Sequence, residues 1–155
     1  MIIEKWNGSD WWDELEELCR LLDSIEGIES VFAAKVFVLH SRVRACIFIV
    51  LNDARTELLS YFTVKDCGDW AFVHDFVVRP ESAIIAGRIA KKAEAFIFSL
   101  GFKEIRAQVK HTNVKALRLY EWLGFKPIQH TLSRKKDEDR LQSEPDLCEG
   151  PCKQS

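Results

Sequence analysis

Apolar positions along this chain recur with two periods that alternate. From Trp12 through Leu15, Leu18, Leu22 and Ile25 they return every three or four residues, which predicts an amphipathic helix. The turn residues Asn7-Gly8-Ser9 precede it, and Asp10, Asp13 and Glu14 in its first turns suit the helix dipole. Met1 to Trp6 reads as a short strand, and after Gly27 a short second helix around Ile28 to Phe32 is compatible with the pattern. The middle of the chain changes period. Lys35 to His40, Val43 to Leu51, Thr56 to Val64 and Trp70 to Val78 are β-branched and aromatic runs parted by Ser41-Arg42, Asn52-Asp53-Ala54 and Asp66-Cys67-Gly68-Asp69. They predict an antiparallel meander. Ala45 to Leu51 is apolar at almost every position, as expected of a strand covered on both faces. Helical spacing returns from Ser82 to Leu100 through Ile85, Ile89, Ala93, Phe96 and Ile97, and Gly101 ends it. Ile105, Ala107 and Val109 then alternate with charged and polar residues, predicting a half-buried strand.

The segment Asn113-Val114-Lys115-Ala116-Leu117-Arg118-Leu119-Tyr120-Glu121-Trp122-Leu123-Gly124-Phe125 specifies both ends of one more helix. Asn113 stands where a side-chain carbonyl can accept from the first unpaired N–H groups. Gly124 stands where the chain must leave through a left-handed residue, and Phe125 opens a last predicted strand. The pattern N-x-x-A-x-x-L-Y-x-x-x-G-F resembles the last helix of the GCN5-related N-acetyltransferases, the GNAT family. The upstream order agrees: a long strand ending Phe76-Val77-Val78-Arg79-Pro80, a helix, Leu100-Gly101-Phe102 and an alternating strand. The resemblance covers roughly residues 30 to 130 and implies an α+β fold, a mixed, mostly antiparallel twisted sheet flanked by helices on both faces.

That resemblance implies transfer of an acetyl group from acetyl-CoA to a primary amine, with Tyr120 placed to protonate the departing thiolate. A phenol is a plausible donor to a thiolate of lower pKa. It also implies that the pantetheine arm lies along Val73 to Val78, with Phe76, Val77 and Val78 contributing backbone groups, and that Asn113 flanks the cofactor. His74 is the second catalytic candidate, because an imidazole on this strand can relay a proton from the amine near neutral pH. Simple alternation puts Phe72, His74, Phe76 and Val78 on one face and Asp75 on the other. Trp12, Phe32, Tyr61 and Trp70 are candidate walls of the acceptor pocket.

The pyrophosphate loop departs from the family pattern. There, Arg or Gln and closely spaced glycines let backbone N–H groups approach phosphates. Here Pro80 is followed by Glu81-Ser82-Ala83-Ile84-Ile85-Ala86-Gly87-Arg88, with one glycine and an added negative charge. Ser82, Ala83, Ile84, Gly87 and Arg88 are the candidates left for phosphate binding. A scaffold that has lost its cradle is the alternative: a non-catalytic GNAT-fold binding or structural protein that self-associates or joins a larger assembly.

Composition narrows the field. A chain of 155 residues with 47% apolar positions suits one domain, read as residues 1–132, followed by a polar tail, residues 133–155, that lacks an apolar period. A net charge of −2, from 22 basic and 24 acidic residues, supplies no field drawing the chain to nucleic acid or membrane. The basic run Arg134-Lys135-Lys136 is followed at once by acidic residues. Five cysteines without framework spacing suit a reducing compartment, and Cys148 and Cys152 lack the second ligand pair of a metal site. With an N-terminus too charged for a signal peptide, these features lead to the expectation of a cytoplasmic protein without bound metal.

Overall fold

The computed structural model describes residues 1–128. One compact unit runs from Met1 to Phe125, and residues 126–128 belong to a second unit that continues to Ser155. The expected polar tail lies outside the described residues, as does most of the expected last strand. Its first residues, 125–128, carry no regular structure.

The first unit contains, in order, β1 (Ile2–Lys5), α1 (Trp12–Glu26), α2 (Phe32–Val38), a π turn (Leu39–Val43), β2 (Ala45–Leu51) and β3 (Leu58–Asp66). There follow β4 (Trp70–Val78), a 3-10 turn (Pro80–Ile85), α3 (Ala86–Ser99), β5 (Glu104–Ala107) and α4 (Val114–Trp122). The five strands lie in sequence order, antiparallel from β1 to β4 and parallel between β4 and β5. The parallel step requires a crossover, and α3 supplies it.

Two buried clusters sandwich the sheet. Leu15, Leu18, Cys19 and Leu22 of α1 and Phe32 of α2 pack on Ile47, Ile49 and Tyr61. On the other face Ile89, Ala93 and Ile97 of α3, four residues apart, pack on Phe48, Phe62 and Val73. This double coverage explains why β2 is apolar throughout.

The expectations for residues 28–40 are overturned: residues 28–31 carry no helix, which begins only at Phe32. Lys35 to His40 is not a strand but the end of α2 and the start of the π turn. The apolar residues in and around it also fit a helix: Phe32, Val36, Leu39 and Val43, three or four apart, all face the α1 side of the core. A short apolar run satisfies both periods, and packing against α1 selects the helix.

Candidate functional site

The site is framed by two strands that part. β5 pairs with β4 only from Trp70↔Glu104 to Val73↔Ala107, whereas β4 continues to Val78. Among the described residues no strand covers β4 on that edge beyond Val73. Asp75 N–H donates to Thr63 Oγ1 (2.9 Å), the Val77 carbonyl accepts from Ser60 Oγ (2.7 Å) and Arg79 N–H donates to the Leu59 carbonyl (2.8 Å). The backbone groups of Asp75, Val77 and Arg79 therefore face β3. By alternation those of Phe76 and Val78 face the open edge. Of the three backbone positions expected there, Val77 is thus corrected: its groups are spent inside the sheet.

A bulge re-aims the side chains of β4. Phe62 pairs with Phe76 and Val64 with Val73, so the single residue Thr63 opposes both His74 and Asp75. Ala71 and Val73 face α3 before it, Phe76 and Val78 face α3 after it, and Val77 faces α1. The expected shared face of Phe72, His74, Phe76 and Val78 is therefore broken. His74 keeps company with Phe72 (ring centroids 4.5 Å), and Asp75 joins the α1–α2 side as well. Thr63, fully buried, holds the bulge through its bond to the Asp75 N–H.

Tyr120 is set by the end of α4. Gly124 has φ of 89°, Gly124 N–H donates to the Glu121 carbonyl and Phe125 N–H to the Tyr120 carbonyl, both at 2.9 Å. This is a Schellman closure, and its accompanying contact is the Phe125 ring edge-on to Tyr120 at 5.0 Å. At the other end Asn113 Oδ1 accepts from Ala116 N–H at 3.2 Å, so the Asn113 side chain serves as the helix cap. Tyr120 lines an apolar crevice of about 30 Å³ with Phe76 of β4, Ala93 of α3, Ile105 of β5 and Leu123 of α4. Burial, with a smaller contribution from Asp75, pushes its phenol up to about 12. The His74 imidazole is pulled below its ordinary value by burial and Lys65, against the pull of Asp75. Its Nε2 is buried without a hydrogen-bond partner.

The segment after β4 offers less to an anion than a glycine loop does. Ser82 is buried, its N–H donates to the Arg79 carbonyl, and Ala86 N–H donates to the Ala83 carbonyl as the 3-10 turn runs into α3. Ser82 is accordingly removed from the phosphate candidates. Gly87 has a different reason to be glycine: a Cβ there would stand 3.2 Å from the Trp122 ring of α4. Ala83, Ile84 and Arg88 remain exposed near the start of α3.

The proposed acceptor walls divide. Trp12 and Phe32 meet edge to face at 4.8 Å within an aromatic cluster that includes Trp6, Tyr61 is buried, and Trp70 lies under Arg106 at the closed end of the β4–β5 pair.

Sequence reasoning missed a buried charged cluster on the α1–α2 side. Lys35 Nζ of α2 lies 3.5 Å from Asp23 Oδ1 of α1 and 3.3 Å from Asp75 Oδ2 of β4. Ser30 Oγ donates to Asp23, and Cys19 Sγ lies 3.8 Å from Asp23 Oδ2. Burial opposes the Lys35 charge, but Asp75, Cys19 and Asp23 outweigh it and hold its pKa above the usual value. Burial first, then Asp75 and Cys19, drives the Tyr61 phenol far up. A signal for Asp23 was present: it stands four residues after Cys19 on the apolar stripe of α1. Lys35 and Asp75 had none, because one was assigned to a strand and the bulge that sets Asp75 beside His74 leaves no mark in the alternation.

Among the described residues no group of His, Cys, Asp and Glu is arranged to hold a metal ion, and no helix is long and apolar enough to cross a membrane.

The family model described as "Acetyltransferase (GNAT) family" matches residues 9–125. No curated protein sequence matches the chain. Among solved structures, the chain is similar to a four-residue mutant of a Bacillus halodurans protein, with TM-score 0.67 and 14% identity over 87% of this chain and 99% of the other. It is similar to an aminoglycoside 6'-N-acetyltransferase of Acinetobacter haemolyticus, with TM-score 0.63 and 15% identity over 90% and 100% of the two chains. A transcriptional regulator from Bacillus halodurans C-125 gives TM-score 0.62 and 15% identity over 86% and 98%. At these identities the likeness establishes the fold.

Proposed function

Because the chain belongs to the acetyltransferase (GNAT) family, we propose that it transfers an acetyl group from acetyl-CoA to a primary amine. The observation that carries this reading is the open edge of β4, where the backbone groups of Phe76 and Val78 face a gap that also borders the Tyr120 crevice. An extended amide-bearing arm can pair with that edge as a strand would. Acetyl-CoA, when bound, supplies the activated thioester. The cysteine content is the support for a cytoplasmic setting.

His74, held neutral near pH 7, accepts the proton that the attacking ammonium must lose. The attacking nitrogen would form the new C–N bond as the C–S bond breaks, and Tyr120 is the residue that would face the departing sulfur. Full proton transfer from a phenol at about 12 to a thiolate whose acid is near 8.5 is uphill by about 5 kcal/mol. Tyr120 therefore acts chiefly as a hydrogen-bond donor to the developing charge; the acylated nitrogen loses its second proton to solvent, and the thiolate takes one from solvent.

A second reading, a non-catalytic member of the fold, is favoured by one feature: the 3-10 turn with Glu81 in place of a glycine cradle. Calorimetric titration with acetyl-CoA separates the two. The catalytic reading expects micromolar binding and, with a panel of primary amines, turnover that Tyr120→Phe lowers by about one to three orders of magnitude at unchanged binding and melting temperature. Absence of acetyl-CoA binding at millimolar concentration would establish the second reading instead.

A further inference from the structure

Three observations on the α1–α2 side of β4 belong together. Asp75 is nine-tenths buried, and its Oδ2 accepts no hydrogen bond, although Lys35 Nζ lies 3.3 Å away as its ion-pair partner. The next residue back, His74, leaves Nε2 buried and unpaired, and the bulge turns both residues toward the same side. Buried polar atoms without partners are rare enough to call for a missing one. Both atoms here are acceptors when His74 is neutral: His74 Nε2 has no partner, and Asp75 Oδ2 has the ion pair with Lys35 alone. Lys35 is the only base among the ion pairs of this cluster, and it serves Asp23 and Asp75 together. Formally the three groups carry one negative charge more than positive, in surroundings where a charge is poorly solvated.

Lys35 is also the member that can leave. Its side chain is about one-fifth exposed while both carboxylates are buried, and a lysine stem has four rotatable carbons. A surface pocket of about 490 Å³, lined by Asp23, Ser24, Glu29 and Ser30, opens over the Asp23 end of the cluster. It sits at the C-terminal end of α1, where Asp23 and Ser24 carbonyls are engaged by Gly27 and the helix dipole favours cations.

We propose that the Lys35 ammonium is a built-in stand-in for the acceptor's ammonium, and that the acceptors this chain takes are cationic primary alkylamines that displace Lys35 from Asp75. This rests on the acetyl-transfer reading for its purpose, although the binding step stands without it. An entering ammonium brings three N–H donors, enough for Asp75 Oδ2 and His74 Nε2 together. Once Lys35 has swung out, its charge is recovered in solvent, so the exchange conserves the ion pair at Asp75. Glu29 at the mouth and the excess negative charge select against acceptors that carry a carboxylate beside the amine.

The probe is n-butylammonium, which reproduces the lysine side chain and its charge, with n-butanol as the uncharged control, titrated calorimetrically without acetyl-CoA. Removing the stand-in by Lys35→Met is expected to tighten n-butylammonium binding at least tenfold over wild type, to leave n-butanol unchanged, and to lose the gain when Asp75→Asn is added. Lys35→Met leaves two buried carboxylates together, so Lys35→Met with Asp23→Asn, which keeps one, is the companion variant that guards against unfolding. Equal or weaker n-butylammonium binding in both variants would overturn the inference. A gain in binding by a protein that acetylates no amine would uphold the displacement of Lys35 and remove the acetyl-transfer reading. Acetyl transfer by wild type with no gain in the variants would do the reverse.

Discussion

His74 is where a single residue's environment decides a role. Its pKa is depressed because burial penalises the imidazolium and Lys65 repels it, more than Asp75 attracts it. The sign follows: the unfolded chain binds a proton near pH 6.5, the folded one only at lower pH, so stability is present above 6.5 and declines as pH falls below it. The acid limb of kcat/KM for acetyl transfer is expected below pH 6.5 and should vanish in His74→Gln. A limb above 6.5, or one untouched by that substitution, would take His74 out of the proton path. Tyr120 is held differently: its ring and carbonyl are both tied to Phe125 through the turn that Gly124 makes possible.

The decisive element is β4. It pairs along its full length with β3 but only to Val73 with β5, and its bulge falls just past the last of those β5 pairs. That placement frees backbone groups on one edge and turns Asp75 from the α3 side to the side of α1 and α2. Thr63 stabilises the distortion by accepting from the Asp75 N–H in a fully buried position. Thr63→Val keeps the shape and removes the acceptor, so it should cost about 1–3 kcal/mol in denaturant unfolding. The same variant should lower kcat/KM by more than its loss of stability explains, because Asp75 and His74 lose their aim. A variant with wild-type stability and activity would show that the bulge does not depend on this bond.

Seen as a whole, the first unit is one sheet between two separate apolar clusters, the α1–α2 side around Ile49 and the α3 side around Ile89. Neither residue belongs to the other's cluster. Ile49→Val and Ile89→Val should each cost about 0.5–1.5 kcal/mol. Their double variant should equal the sum to within about 0.5 kcal/mol, as independent sites do. A clear departure would mean that strain passes through the sheet from one layer to the other. Function draws on both layers: Tyr120 and the crevice lie toward α3, and the Asp23–Lys35–Asp75 cluster lies toward α1 and α2.

Much of this was legible in residue order. The strand Trp70–Val78 was read end to end, the capped helix of Asn113 to Gly124 carried its own start and stop, and their succession carried the family. These features are local: a cap, a left-handed glycine and a period are fixed by residues within one or two turns of each other. What stayed hidden depends on partners far away in the chain. Lys35 to His40 fits two periods, and only packing on α1 makes it helical. The bulge opposite Thr63 arises from how β3 and β4 fit against each other, so the faces of His74 and Asp75 could not be counted off by alternation. Asp23, Lys35 and Asp75 come from three elements, and their charges meet because the two carboxylates are buried and the Lys35 ammonium lies within reach of both.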